Sequence, residues 1–262
     1  MLAQFTLQLI AGISLMWVLM PRRLVTSGFF RIQMLLVLGL SVLATLSAGQ
    51  LTRRLGAEEI ESVTAATPAT FLTPLGILTM SLAGIAFIGS VLWTLERRKG
   101  GGICAFLIWG LSNLALDWAF RGRLDPNWLG LLSAGSSASV LGGAVTSMLL
   151  GHWYLTAPTM SISPLTRLTT ILGISLVVRL VISAIGWSYS ATELQGSLLW
   201  TWFALRWLAG IVAPLVLCGM TLRILRYRNT QAATGVLFAT VILTFIGEMS
   251  AALLSSELQH PF

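Results

Sequence analysis

The chain has 262 residues, of which 56% are hydrophobic and 10% charged, with a formal net charge of +7 and a mean hydropathy of +0.86. A soluble domain carries about 25% charged residues, so this composition excludes a surface wetted on all sides, and its hydrophobicity excludes intrinsic disorder. The positive charge is scattered between apolar runs, which argues against a nucleic-acid partner, and the single lysine, Lys99, flanks a span, which excludes a retinal-type Schiff base.

A helix needs about 20 mostly apolar residues to cross about 30 Å of hydrocarbon. Eight segments qualify, near 2–20, 32–50, 72–95, 103–120, 128–155, 168–187, 197–222 and 231–254. The expected fold is all-α, a polytopic membrane protein with eight transmembrane helices. The first segment lacks a basic start and a small-residue cleavage site and is followed by Arg22 and Arg23, so it reads as a retained span rather than a signal peptide. After the second span, Thr52 to Phe71 is the one long connection, rich in Glu, Thr, Ala and Pro, and is expected to be mobile or partner-facing. Gly100, Gly101 and Gly102, after Arg97, Arg98 and Lys99, follow no strand and read as a flexible turn rather than a phosphate loop. The neighbouring bases are expected to attract anionic lipid.

In the fourth span Asn113 is expected to be a buried amide bonding across helices, with Asp117 and Arg121, four apart, a surface pair at the outer edge. The fifth span carries Gly135, Ser139, Gly143, Ser147 and Gly151 at an unbroken spacing of four. That is close to one helical turn, so these positions stack into a groove for another backbone and mark a central helix. His152 follows; the only other histidine is His260, so a bis-histidine haem does not fit, and His152 is an interfacial residue or a proton-handling one. Cys104 and Cys218 lie in spans without metal-ligand spacing and read as small packing residues. No metal site is expected.

The last three spans hold charges an oily environment disfavours: Arg179, Arg206 and Glu248. Each costs about 2.5 to 3.5 kcal/mol at the bilayer centre on insertion scales, so each needs a partner or an aqueous cavity. At about 1.5 Å rise per residue, Arg206, seventeen residues from Arg223, and Glu248, seventeen from Gln231, fall at similar height, with Arg179 within side-chain reach. Ser175, Arg179 and Ser183 share one face; Thr240, Thr244, Glu248 and Ala252 another; Arg206, Gly210 and Pro214 a third, with Pro214 expected to kink its helix. These residues are expected to line a polar cavity in the outer half of the bundle. Two arginines against one glutamate favour an acidic head group, carbonyl or anion as ligand; the competing reading is an Arg206–Glu248 ion pair that only fixes helix register.

Ten of the sixteen basic residues, Arg22, Arg97 and Arg223 among them, fall in the odd-numbered loops and four on the other side, which places both termini outside by the positive-inside rule. Trp17, Trp93 and Trp153 are expected to mark inner ends, and Trp118, Trp128, Trp187, Trp200 and Trp202 outer ends. Sliding the chain by 136 residues brings Trp17 onto Trp153, Leu19 onto Leu155 and Arg31 onto Arg167, and a shift of 126 brings Leu82–Ala83–Gly84–Ile85 onto Leu208–Ala209–Gly210–Ile211. These matches divide the chain into two four-span repeats, 1–126 and 127–262, entering the membrane in the same direction.

The arginine of the seventh span, with an eighth span closing on Ile246, Gly247 and Glu248, resembles the end of the membrane-anchor subunits of dimethyl-sulfoxide-reductase and polysulfide-reductase type complexes. The resemblance covers Trp200 to Ala252 and the eight-span topology. It implies quinol oxidation at the membrane, with electrons passed to an iron–sulfur partner, and it places Glu248 at the family's Gly-Glu position. The chain departs from the family where an arginine usually follows; Met249, Ser250, Ala251 and Ala252 stand there.

There is no phosphate loop, HExxH pair, nucleophile elbow or catalytic carboxylate pair, so a membrane enzyme acting on lipid is the least favoured reading. The first expectation is a non-catalytic subunit of a larger complex in the inner, cytoplasmic membrane, with lipids and other subunits as partners. It would accommodate a quinone-like molecule or lipid near Arg179, Arg206 and Glu248, and carry no intrinsic cofactor. The alternatives are a secondary transporter for a small anion with Glu248 as proton relay, and a structural scaffold subunit.

Overall fold

The computed structural model describes residues 2–55, 73–120, 127–157, 159–190, 196–258 and 260–262. Eight helical runs among them are long and apolar enough to cross a membrane, and no strand occurs among the described residues. The chain therefore has the character of a multi-pass membrane protein. In an apolar medium each backbone amide must find its partner within the segment, and a helix provides it.

The first four runs are α1 (Leu2–Leu19), α2 (Ser27–Leu55), α3 (Pro74–Thr94) and α4 (Arg98–Phe120). The next two are α5 (Asn127–Thr156) and α6 (Ser163–Ser190). The seventh is interrupted: α7 (Ser197–Trp207), a π-helical turn over Leu208–Val212, then α8 (Ala213–Arg226); α9 (Thr230–Leu258) closes the bundle. The helices run past the apolar spans because hydrogen bonding does not stop at the hydrocarbon edge: α2 has 29 residues where 19 were expected, 32–50. Side chains cap the starts of α3 and α9. Thr73 Oγ1 accepts from the Gly76 amide at 3.1 Å and Asn229 Oδ1 from the Ala232 amide at 3.0 Å.

The three glycines after Lys99 are not a flexible turn, because α4 begins at Arg98 and contains them. The turn is made instead by Glu96, in the left-handed region at φ 55°. The glycines serve close packing: a Cβ on Gly101 would collide with the Trp93 indole and one on Gly100 would press on Leu92. Of the long connection from Thr52, α2 takes the chain to Leu55 and 56–71 lies outside the described residues, as does Arg121 of the expected Asp117–Arg121 pair.

Helix contacts run α1 to α2, α2 to α3, α3 to α4 and α4 back to α1; then α5 to α6, α6 to α8, α8 to α9 and α9 back to α5. α1 against α5 joins the two sets. The central position of α5 is evident from burial: 78% of its span is buried, against 33–61% elsewhere. The stripe of small residues meets different neighbours along its length. Gly143 faces Leu172 of α6, Gly151 faces Thr234 of α9, and Gly135 has open space. The tightest seam lies one position away, where a Cβ on Gly142 would overlap the backbone of Gly12 and one on Gly12 the carbonyl of Ala138. Gly142→Ala should therefore push α1 from α5 and cost about 1 to 3 kcal/mol by overpacking. Stepwise heating in detergent followed by size exclusion checks this, with Gly135→Ala as the silent control.

Three further expectations change on contact with the structure. Asn113 is exposed and donates to the Trp109 carbonyl of its own helix at 2.7 Å, so it is no interhelical bond. Trp17 and Trp93 are core residues rather than headgroup markers, and Trp93 stacks on Phe30 with centroids 4.4 Å apart. Trp118, Trp128, Trp187 and Trp200 are exposed at helix ends, as an interfacial indole would be. Cys104 and Cys218 are buried, free thiols. Large apolar side chains such as Ile32, Phe87, Phe106, Val177 and Ile242 face outward along the helices, the surface an apolar solvent requires.

Candidate functional site

α6, α7 and α9 each bring one charged residue to a single point, and α5 supplies hydroxyls. Arg179 meets Glu248 side-on: Nε donates to Oε1 at 3.2 Å and Nη2 to Oε2 at 3.0 Å. Arg206 Nη1 donates to Oε1 at 2.8 Å, and Ser137 Oγ to Oε2 at 2.7 Å. A carboxylate has about four lone-pair positions, so Glu248 is filled. The three residues are 2%, 0% and 4% exposed, and their side chains sum to one net positive charge away from water.

The two guanidinium groups are served unequally. Arg179 Nη1 also donates to Ser133 Oγ at 2.6 Å and approaches Ser136 Oγ at 3.4 Å, while its Nη2 donates to the Phe262 main-chain oxygen at 2.5 Å. Arg206 Nη2 donates to Ser183 Oγ at 2.9 Å, but its Nε is buried with no partner. An unsatisfied buried donor costs about 1 to 3 kcal/mol. Arg206 is thus the group with capacity to spare.

Local sequence explains the placement. Pro214 stands in the first turn of α8 with no N–H to give, and the chain before it opens into the π turn that follows Trp207. That turn brings Gly210 against Gly247 of α9, so close that a Cβ on Gly247 would overlap Gly210 Cα. Two glycines thereby bring Arg206 and Glu248 within a hydrogen bond of each other.

Of the residues expected around the cavity, Arg179, Arg206, Glu248 and Ser183 come together. Thr240 and Thr244 do not join them; their hydroxyls donate to carbonyls one turn back, Val236 and Thr240. His152 is exposed, edge-on to Phe238 at 6.5 Å. It stands fifteen residues from Ser137 along α5, about 22 Å at the helical rise, and takes no part in the cluster. The missed partners are Ser133, Ser136 and Ser137, legible as a serine-rich stretch off the four-residue stripe, and Phe262, which no periodicity could place. Among the described residues no group of three or more His, Cys, Asp or Glu is placed to hold a metal. A separate open groove at the far end of α8 is lined by Gly219, Leu222, Arg223, Arg226 and Tyr227.

Fold and site together define a helical multi-pass protein with a buried cluster of two arginines and one glutamate. No protein-family model matches the chain, and no curated protein or solved structure matches it.

Proposed function

We propose that this chain is a non-catalytic, membrane-embedded binding module, a subunit of a larger complex in the inner, cytoplasmic membrane, accommodating a quinone-like or other lipid-soluble molecule beside Arg179, Arg206 and Glu248. The observation that carries this reading is Arg206 Nε, buried and left without an acceptor in a cluster where two cations share one side-chain carboxylate. A register-fixing ion pair needs one cation per anion; a spare, desolvated guanidinium suits an incoming carbonyl or acidic oxygen. The resemblance of Trp200 to Ala252 to the reductase anchors points the same way and suggests electron transport as the setting, with cofactors supplied by partners.

Orientation and repeat belong to the same proposal. The basic excess of the odd loops puts both termini outside and the cluster in the outer half of the bilayer. Two features support a tandem repeat of 1–126 and 127–262. The helix contacts follow the same cyclic order in each half, and the closing hairpins of both halves turn on a non-glycine residue in the left-handed region, Glu96 at φ 55° and Arg228 at φ 57°.

Isolation in mild detergent with mass spectrometry of subunits and extracted lipids tests the reading. The expected result is a heteromeric assembly holding a quinone or comparable molecule; a lone chain with no such molecule would overturn it. A second reading, a secondary transporter for a small anion with Glu248 as proton relay, is favoured by one feature. The seventh span winds through a π-helical turn just beyond Arg206, a feature frequent at functional sites. It requires that Glu248 first lose one of its four donors.

A further inference from the structure

Beyond α9 the chain turns back, and residues 260–262 lie over the cluster. Phe262 and Pro261 are buried. The Phe262 ring packs with Ala251 and Leu254 of α9 against Leu199, Trp202, Phe203 and Leu258, and its main-chain oxygen accepts from Arg179 Nη2 at 2.5 Å. Ser133 Oγ donates to the same oxygen at 3.5 Å, and the Phe262 amide donates to Ser255 Oγ at 3.2 Å. The segment passes so near α6 that a Cβ on Gly186 would fall on the Pro261 carbonyl oxygen.

This arrangement has the chemistry of a bound ligand. An aromatic ring fills an apolar pocket lined by aromatic side chains, and an adjoining oxygen sits on a buried guanidinium. The ring needs only its fit and the oxygen only a cation, so another molecule with both features can take the same place. The segment lies beyond the last residue of α9, Leu258.

We propose that Phe262 occupies the seat of the site's true ligand, and that the ligand is a ring-bearing molecule with a carbonyl or carboxylate oxygen next to the ring, which binds by displacing residues 260–262 from Arg179. The segment is then a built-in competitor. Apparent affinity is the intrinsic affinity reduced to the fraction of molecules whose seat is open, so a segment seated nine-tenths of the time weakens binding about tenfold. The inference rests on the binding-module reading and narrows its ligand and its regulation.

The test uses the full chain in lipid nanodiscs, with tryptophan quenching by decylubiquinone as the carbonyl probe and thermal stabilisation by 3-phenylpropionate as the carboxylate probe. Two variants open the seat by different routes. Phe262→Ala removes the ring, and Gly186→Ala keeps Phe262 but pushes Pro261 away. Both are expected to bind one of the probes at least tenfold more tightly than the unaltered chain, and the probe that gains identifies the oxygen chemistry. Equal affinity in all three proteins would overturn the competitor while leaving the binding module standing. Weaker binding in the variants would also overturn it, since Phe262 would then be a wall of the site. No binding of either probe by any of the three would count against the binding module itself. Should Phe262→Ala fail to fold, Gly186→Ala alone decides.

Discussion

Glu248→Gln is expected to be among the most damaging single substitutions in the chain, costing about 3 to 5 kcal/mol, the range for removing one partner of a buried ion pair. Glutamine nearly matches the shape, so packing is not the cause. Among the described residues Glu248 is the only side-chain carboxylate hydrogen-bonded to Arg179 and Arg206, and without its charge two guanidinium groups face each other at 2% and 0% exposure. The amide also replaces one acceptor oxygen by a donor, which must oppose Ser137 or an arginine. Thermal midpoint and the yield of monodisperse protein in detergent measure the loss. Adding Arg206→Met to Glu248→Gln should recover part of it, because Arg179 retains Ser133, Ser136 and the Phe262 oxygen as acceptors. Such non-additivity between residues of one network is the expected signature of coupling. Simple addition of the two losses would mean that the charges do not sense one another.

The second large effect runs in the opposite direction. Replacing the whole cluster, Arg179→Met, Arg206→Met and Glu248→Leu together, should leave stability unchanged or raise it by about 1 to 4 kcal/mol, as found when buried ion networks give way to apolar residues of similar volume. Three charges would no longer need removal from water, and the Ser133 and Ser136 hydroxyls would keep main-chain acceptors in the Phe262 oxygen and the Ser133 carbonyl. Insertion should improve as well, since each central charge opposes it by about 2.5 to 3.5 kcal/mol. A chain that can do without these charges for folding keeps them for another reason. Equilibrium unfolding in mixed micelles measures the change, and a triple variant that cannot fold would show that the cluster is the scaffold's own fastening.

The parts of the fold legible in the sequence are those governed by solvent. Runs of about 20 apolar residues define spans, and the three intramembrane charges came together because helical rise and face are simple arithmetic: Arg206 and Glu248 at the same count from their loop ends, Arg179 within reach. What depends on contact with a particular neighbour was less accessible. Spacing placed Gly135 and Gly143 in one stripe, but which glycine meets which helix depends on the arrangement of the bundle, and the closest seam is Gly12 on Gly142. Trp17 and Trp93 have the amphipathic ring of an interfacial residue, yet both are buried in the core between helices. An amide in an apolar span needs a partner, which points Asn113 to a neighbouring helix, but the carbonyl one turn back satisfies it. The segment 260–262 is too short for periodicity to act on, so its return to Arg179 was hidden.

The central claim, that the spare buried guanidinium exists to hold a lipid-soluble molecule, is tested most directly by the small-molecule content of the unaltered chain and of the charge-free triple variant, both purified from the same membranes and extracted for mass spectrometry. Near-stoichiometric recovery of one oxygen-bearing apolar compound is expected from the former, and its loss from an equally well-folded latter. Equal recovery from both, or none from the unaltered chain, would contradict it.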